Sequence, residues 1–210
     1  MPTAATKKTA SSQARTAGRP RRFTYEQIVQ AALDVMDNEG YAALTISSLA
    51  KHMKVSHSVL YKYVGNIEEL EVEALQRLAA AIPMPRPGTP QQIRQQTIDC
   101  LMALRQILLK HPGVLYVPAG SRARDTFTES VVQWVLALTP FAIDAEAASI
   151  GHAALVNMVA QSAETERHLG PHYAAEAQRT RDKRLPRIRS PQFVLEHLID
   201  SLFPGFRKSL

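Results

Sequence analysis

Between Thr45 and Tyr63 the sequence leaves room for only two short helices separated by a tight turn. The first is predicted to begin at Thr45 and to break around Lys54 and Val55. The second is predicted to run from Ser56 to about Tyr63. Two short helices joined by a tight turn and packed on a longer helix are the organisation of a helix-turn-helix.

Longer helices are predicted on both sides of this pair. Thr24 and Gln27 have the spacing of a capping box, and the apolar stripe that follows them ends at Gly40, which offers a left-handed stop. Asn66, with Glu69 three residues later, is predicted to cap the next helix. The short pair is therefore enclosed by two well-delimited helices.

Prolines mark the predicted domain junction, since proline removes a backbone donor and disfavours helix at the residue before it. They are Pro83, Pro85, Pro87 and Pro90. Beyond them, apolar periodicity predicts helices over about 90–110, 125–138, 144–168 and 191–203, and no convincing strand. We therefore predict an all-α chain, with a three-helix helix-turn-helix domain over residues 21–82 and a larger helical domain over residues 83–210.

The net charge of +6 is concentrated before the first helix. The chain has 25 basic and 19 acidic residues, and six of the basic residues precede Glu26, the first acidic one, so the remaining chain is neutral (25 − 6 − 19 = 0). A polyanion partner near the N-terminus is indicated. The alternative is that residues 1–20 form a basic, disordered, solvated arm without a partner.

The remaining composition predicts a soluble globular protein of a reducing compartment. Hydrophobic residues make up 45% of the chain and charged residues 21%. Cys100 is the only cysteine, so an intramolecular disulfide is excluded. No apolar run approaches the length of a membrane span, and the leader lacks the apolar segment of a secretory signal. We expect a cytoplasmic protein that does not engage a membrane; an organellar transit peptide is the less favoured interpretation of the leader.

The segment from Leu44 to Leu70 resembles the DNA-binding segment of the TetR family of bacterial transcriptional regulators. The resemblance extends from Arg21 onward and includes the capped first helix that ends in Gly40. Its further points are Leu44-Thr45, Leu49-Ala50, Val55-Ser56, Leu60-Tyr61, the aromatic Tyr63, and Leu70 after an acidic pair. It implies a homodimer that binds a double-stranded DNA operator and senses a small-molecule effector, which the sequence does not identify.

A recognition helix must expose small polar residues at its N-terminal end and keep apolar residues toward its own domain. Leu60 is the expected inward anchor, with Tyr63 partly packed and Tyr61 on the DNA side. The predicted DNA-binding residues are Thr45, Ser47, Ser48, Ser56, His57, Ser58, Val59, Tyr61, Lys62 and Tyr63. Arg19, Arg21 and Arg22 are predicted to reach the flanking minor groove as a basic arm.

Two of these assignments have alternatives or departures. For His57 a base or phosphate contact is favoured over metal binding or acid-base chemistry, because no ligand-type residue has suitable spacing within its helix. The sequence departs from the family pattern at Lys62, Gly65 and Ile67. Ile67 stands where the family often has a phosphate-binding lysine, and Lys62 is the expected substitute.

The C-terminal part resembles the family more loosely, chiefly the branch that includes the tetracycline repressor. The resemblance implies that the last two long helices pair with their two-fold mates, with packing inside one protomer as the alternative. The predicted dimer residues are Ala148, Gly151, His152, Val156, Phe193, Val194, His197, Leu198 and Leu202. The predicted effector-binding residues are Leu101, Leu104, Arg105, Leu108, Tyr116, Phe127, Trp134, Met158 and Gln161. Ordinary core packing is the alternative for most of the second set.

No catalytic constellation is recognisable. The sequence has no glycine-rich phosphate loop and no GxSxG, HExxH or CxxC motif, and Cys100 lies on an apolar helical stretch typical of core filler. We predict a non-enzymatic protein without cofactor or metal. Its predicted function is sequence-specific regulation of transcription, as a repressor released from a palindromic operator by an effector. A ligand-independent or partner-responsive DNA-binding protein is the alternative, and an enzyme a remote one.

Overall fold

The computed structural model describes residues 23–126, 128–170 and 190–209. Within these ranges the chain is helical and contains no strand, which confirms the predicted all-α class. The helices are α1 (Tyr25–Glu39), α2 (Ile46–Met53), α3 (His57–Leu60), α4 (Ile67–Ala80), α5 (Pro90–Lys110), α6 (Arg122–Asp125), α7 (Thr128–Leu138), α8 (Ala145–Leu169) and α9 (Pro191–Leu202). Short 3₁₀ turns lie at Tyr41–Ala43, Pro112–Tyr116, Thr139–Phe141 and Pro204–Ser209.

The caps read from the sequence are present in the structure. Thr24 and Gln27 form a reciprocal capping box at the start of α1: the Thr24 hydroxyl accepts from the Gln27 N–H at 3.2 Å, and the Gln27 side chain accepts from the Thr24 N–H at 2.9 Å. Gly40 ends α1 with φ of +93°. Asn66 caps α4 by accepting from the Glu69 N–H at 2.7 Å. These local bonds position the short helices between α1 and α4.

Two predicted helices differ in extent. α3 ends at Leu60 instead of continuing to Tyr63, because the next residues form tight turns: the Tyr63 N–H bonds to the Leu60 carbonyl at 2.8 Å, three residues back. The helix predicted over about 125–138 corresponds to α7, which begins at Thr128, and a short helix, α6, precedes it. Ser121 caps the short α6 by accepting from the Arg124 N–H at 3.2 Å, and α7 follows after a break. The sequence pattern did not reveal this extra cap.

The helices enclose two hydrophobic cores. The first surrounds α1 and joins it to α2, α3 and α4, but it also includes Val114, Val117 and Ala123 from beyond the predicted junction. The residues that follow α5 therefore belong to the core of the N-terminal helices. The second core lies among α5, α7, α8 and α9.

No single helix in the described ranges has the length and apolar character of a membrane span. The segments Arg122–Phe141 and Ala145–Leu169 reach that composition only as a pair, bent by 119°.

One carboxylate joins α1 to the segment after α5. Asp37 Oδ2 lies 2.8 Å from His111 Nδ1, and Asp37 Oδ1 accepts from the Gly113 N–H at 2.9 Å. The side chains of Asp37 and His111 are 14% and 7% exposed, so both bonds are shielded from water. We call this group of Asp37, His111 and Gly113 the latch.

A second polar contact predicts a pH-dependent change in stability. The Tyr41 hydroxyl donates to the Glu71 carboxylate on α4 at 2.9 Å. Burial raises the pKa of Glu71, although the bond from Tyr41 lowers it, and burial also raises the pKa of Tyr41 to about 12. Since the folded state holds the Glu71 proton more tightly than the unfolded state, the stability from this group is complete below the unfolded pKa and is lost as pH rises through the folded pKa.

Replacing Glu71 with glutamine should therefore stabilise the protein at pH 7, since the amide oxygen still accepts from Tyr41 and no charge is desolvated. The gain should shrink as pH falls toward the ordinary glutamate pKa of about 4.3. Thermal unfolding between pH 4 and 8 measures it. Glu39→Gln, at the exposed end of α1, is the control and should change little at any pH. A gain that is constant with pH would contradict the assignment.

Candidate DNA-binding surface

The turn between α2 and α3 is set by Lys54. Its φ of +55° is in the left-handed region, and it ends α2 while the Val55 N–H bonds back to the Ala50 carbonyl at 3.0 Å. Lys54 is the only non-glycine residue with positive φ among the described residues. The sequence placed the break here but gave no sign of the left-handed conformation. This turn separates α2 from α3 by only three residues, 54–56.

α3 presents its first residues to solvent and holds the domain by its last. Leu60 is fully buried and Val64 is 2% exposed, so both fix the segment on the first core. Ser56, His57 and Ser58 are exposed, and Val59 is half-buried. The hydroxyls of Ser56 and Ser58 lie 3.0 Å apart and hydrogen-bond to each other. The start of α3 is thus a small polar surface on an apolar anchor.

The residues after α3 extend this surface. Tyr61 is 60% exposed, while Tyr63 is half-buried against the first core, which matches the packing expected from the sequence. Lys62 is exposed beside them. Whether these side chains contact DNA stays a prediction, but Tyr61 and Lys62 have the accessibility that such contacts need.

At the start of α2, only one of the three predicted hydroxyl residues is free to bind a partner. Ser48 is half-buried: its hydroxyl donates to the Ala43 carbonyl at 2.6 Å and accepts from the Thr45 N–H at 2.9 Å. The Thr45 hydroxyl accepts from the Ser48 N–H at 3.0 Å. Ser47 is exposed, and its hydroxyl bonds to no residue that the structure describes. A phosphate contact through α2 therefore falls to Ser47 and to the free backbone N–H groups of the first turn.

The surface is positively charged. Between Glu39 and Glu68 the chain has no carboxylate but three lysines, and each of these lysines is exposed: Lys51, Lys54 and Lys62. His52 lies at the edge of the surface, 3.7 Å from Asp34 on α1. A run of uncompensated basic residues around a short exposed helix matches the electrostatic requirement for binding a nucleic-acid backbone.

Part of the predicted binding set cannot be placed. Arg19, Arg21 and Arg22, and with them the arm over residues 1–20, lie outside the described residues, as does Phe127 of the effector set. The contact of the arginines with a minor groove stays a prediction that rests on the sequence alone.

The predicted effector residues fall into two groups. Leu101, Leu108 and Trp134 are buried, Leu104 and Met158 are half-buried, and Arg105 is 6% exposed. Tyr116 and Gln161 are exceptions. Both are exposed, and the Tyr116 hydroxyl donates to Glu164 at 3.1 Å on the surface, so these two do not join the buried group.

The structure gives the surroundings of two polar side chains in this region, Arg105 and Cys100. Arg105 is engaged on α8: its Nε donates to the Ser162 hydroxyl at 2.9 Å, and its Nη2 donates to the Glu166 carboxylate. Cys100 is fully buried, and burial raises the pKa of its thiol to about 12. A thiol with that pKa is protonated at neutral pH and is a poor nucleophile.

The dimer prediction needs correction at three positions on α8. Ala148, Gly151 and His152 are buried inside the protomer. A Cβ on Gly151 would lie 2.8 Å from the ring of Phe203, and the ring of His152 packs edge-on against Trp134. The close approach that these small residues permit is made within one chain.

The remaining predicted dimer residues are at least partly accessible. Val156, Phe193, Leu198 and Leu202 are half-buried, and Val194 and His197 are exposed. Ile150, which is not among the predicted dimer residues, is 61% exposed on α8. Val194 on the neighbouring α9 is 41% exposed, so α8 and α9 each present an accessible apolar side chain.

Comparison with known sequences supports the interpretation of the N-terminal part. The family model described as bacterial regulatory proteins of the tetR family matches residues 28–74. An uncharacterised helix-turn-helix-type transcriptional regulator of Mycobacterium tuberculosis is 33% identical over 69 residues, which is 33% of this chain and 32% of that protein. The matched segments span between about a third and two fifths of the length of the curated relatives.

Solved structures resemble a larger part of the chain. ActR of Streptomyces coelicolor, in complex with (S)-DNPA, has a TM-score of 0.58 at 23% identity, covering 87% of this chain and 98% of ActR. BioQ, in complex with its double-stranded DNA operator, has a TM-score of 0.55 at 22% identity, covering 87% of this chain and 99% of BioQ. The fold therefore extends well beyond the segment that the sequence comparisons match.

Proposed function

We propose that the chain is a member of the TetR family of bacterial regulatory proteins: a sequence-specific DNA-binding regulator that represses transcription and leaves its operator when a small molecule binds. The observation that carries the proposal is the start of α3. Ser56, His57 and Ser58 are exposed there, while Leu60 anchors the helix to the core. Small polar side chains in that position can reach base edges in a major groove.

The charge around α3 suits the same role. Lys51, Lys54 and Lys62 are exposed, and no carboxylate lies between Glu39 and Glu68 to oppose them. Contacts from such lysines to phosphate position a protein on the duplex, and contacts to bases select the sequence. BioQ, whose fold this chain shares, was crystallised with its double-stranded DNA operator.

Release by an effector needs a physical connection between the C-terminal helices and α3. The latch supplies one, because Asp37 on α1 holds the segment that directly follows α5. The packing of α4 against α6 supplies another. A ligand that displaces α5 or α6 would therefore shift the helices that support α3. ActR, with the same fold, was crystallised with (S)-DNPA and with actinorhodin.

Selection from random DNA by the full chain tests the proposal. Repeated rounds of binding and amplification should enrich a palindromic site, which the protein binds about 10³-fold or more tightly than scrambled DNA of equal length at physiological salt. Recovery of no common sequence would overturn the sequence-specific function. Enrichment of a site without symmetry would overturn the two-fold operator.

The roles within α3 are tested by two substitutions on the selected site. His57→Ala should cost about 1–3 kcal/mol on that site and much less on random DNA, because a base contact discriminates between sequences. Lys62→Gln should weaken binding to both DNAs alike, because a phosphate contact carries no sequence information. Titration by fluorescence anisotropy at fixed salt measures both. Lys110→Gln, at the end of α5, is the control for loss of one exposed charge; equal losses on both DNAs for His57→Ala would contradict its assignment.

We also propose that the regulator is a two-fold dimer joined through the exposed face of α8 and α9. Ile150→Glu should then place a charge in an apolar interface and yield monomers of 23.3 kDa. It should also weaken operator binding, because one half-site alone is bound poorly. Analytical ultracentrifugation measures the mass. Leu136→Glu, which changes an equally exposed leucine on α7, should leave the dimer intact; a dimer that survives Ile150→Glu would place the interface elsewhere.

A further inference from the structure

Two polar atoms in the second core have no hydrogen-bond partner among the described residues. They are Nε1 of Trp134 on α7 and Nε2 of His152 on α8. Both residues are nearly inaccessible, at 5% and 6% exposed. Their ring centroids are 4.7 Å apart, and the ring planes meet at 78°. The two orphaned nitrogens therefore belong to one small region between α7 and α8.

An unsatisfied buried polar atom is costly and uncommon. Its lost hydration is not offset by a protein hydrogen bond, and buried polar groups in folded proteins are nearly all paired. Two apolar side chains would fill this part of the core equally well. The adjacent unpaired nitrogens therefore indicate that a hydrogen-bond partner binds here. Indole Nε1 can only donate, whereas Nε2 of a neutral imidazole donates or accepts according to its tautomer.

The ionisable groups buried in the described part of the C-terminal helices restrict the chemistry of that partner. Burial lowers the pKa of His152, which keeps its imidazole neutral at pH 7. Arg105 on α5, which is also buried, is already paired with Ser162 and with Glu166 further along α8. An anion or a cation placed among these helices would find no uncommitted counter-charge in the described part of the core, and an unpaired buried charge is strongly disfavoured.

We infer that Trp134 and His152 are the polar anchor of the effector site, and that the effector carries an uncharged oxygen, as a carbonyl or hydroxyl group, on an otherwise apolar frame. This rests on the proposed function. A carbonyl oxygen accepts from Trp134 and from the Nε2–H tautomer of His152. A hydroxyl accepts from Trp134 and donates to the other tautomer. Because neither nitrogen contacts solvent, the effector enters by parting α7 from α8, which exchanges two unpaired atoms for paired ones.

The chain has a single tryptophan, so its indole N–H signal reports on Trp134 alone. The full chain, labelled with ¹⁵N, is titrated with acetophenone, phenol, toluene and benzoate, which share one ring and differ in one group. Acetophenone and phenol should shift the indole N–H signal in a saturable way. Toluene and benzoate should bind at least tenfold more weakly, since one lacks the oxygen and the other brings a charge.

Substitutions separate anchoring from general packing. Trp134→Phe keeps an aromatic ring but removes the donor, and should raise the Kd for acetophenone about tenfold, measured on the backbone amides of α8. His152→Phe should do the same in case the first variant folds poorly. His168→Phe, on the exposed end of α8, is the matched control and should leave the Kd unchanged.

Several outcomes would overturn the inference. Toluene binding as tightly as acetophenone would show that the oxygen is not recognised, and tighter binding of benzoate would show an anion site. A water cross-peak on the indole N–H with no response to any probe would show a buried water only. If the protein binds the selected DNA but no probe shifts the indole N–H signal, the effector-site inference is wrong and the proposed regulatory function is not affected. If the probes bind but DNA selection yields no site, Trp134 and His152 form a ligand site and the proposed regulatory function is wrong.

Discussion

Gly113→Ala is expected to lower the free energy of unfolding by about 3 kcal/mol or more. A Cβ at this position would lie 2.5 Å from the carbonyl oxygen of Met36 and 3.0 Å from the backbone nitrogen of Asp37. Neither atom can rotate away, since both belong to the backbone of α1. The variant must therefore separate the segment after α5 from α1, which breaks the bond from the Gly113 N–H to Asp37 and opens the first core.

Urea denaturation of the variant and of Gly65→Ala measures this effect. A Cβ on Gly65 would also meet an atom at 2.8 Å, but that atom is Oε2 of Glu69, the end of an exposed and flexible side chain. Gly65→Ala should therefore be close to neutral. Equal stability of the two variants would show that the contact between Gly113 and α1 is not held in solution.

The helix-turn-helix was predictable because its determinants are local. The capping boxes at Thr24 and Thr45 and the cap at Asn66 act over three residues, so spacing in the sequence is enough to place the helices. Leu60 was identified as the inward anchor because a recognition helix must keep apolar residues toward its own domain. The extent of α3 was overestimated, since the sequence does not reveal where tight turns replace the helical bonds.

Three of the predicted dimer positions on α8 needed correction because the partner of a helix face is distant in sequence. The small residues near Gly151 correctly indicated close packing, but the periodicity of one helix cannot say whether the partner is Phe203 of the same chain or a second protomer. For the same reason the sequence did not show that Trp134 and His152 are neighbours. Trp134 was assigned to an effector site and His152 to a dimer interface, although their rings are in contact. Which faces meet is decided by the packing of α7, α8 and α9 together.

The latch was invisible in the sequence for a related reason. Asp37 lies on the polar side of an amphipathic helix, where a carboxylate is usually solvated, and its partners are more than seventy residues away. Nothing in the local pattern distinguishes it from Asp34, one turn earlier on α1. Asp34 faces His52 at 3.7 Å with its side chain 43% exposed, whereas Asp37 is 14% exposed.

Because Asp37 is much less exposed than Asp34, we expect its replacement to lower the free energy of unfolding far more. Asp37→Ala should cost about 2–4 kcal/mol, because it leaves the Gly113 N–H and the buried His111 ring without their partner. Asp34→Ala, a matched loss of one aspartate from the same helix, should cost no more than about 0.5 kcal/mol, since exposed ion pairs contribute little. Urea denaturation at pH 7 compares the two.

Asp37→Asn then separates the charge from the hydrogen bonds. Its amide oxygen can still accept from the Gly113 N–H, and its amide nitrogen can donate to Nδ1 of a neutral His111. If the latch acts through these bonds, the asparagine variant should retain more than half of the stability that the alanine variant loses. Equal losses for Asp37→Asn and Asp37→Ala would assign the effect to the carboxylate charge. Equal and small losses for Asp37→Ala and Asp34→Ala would mean that Asp37 does not hold α1 to the segment that carries His111.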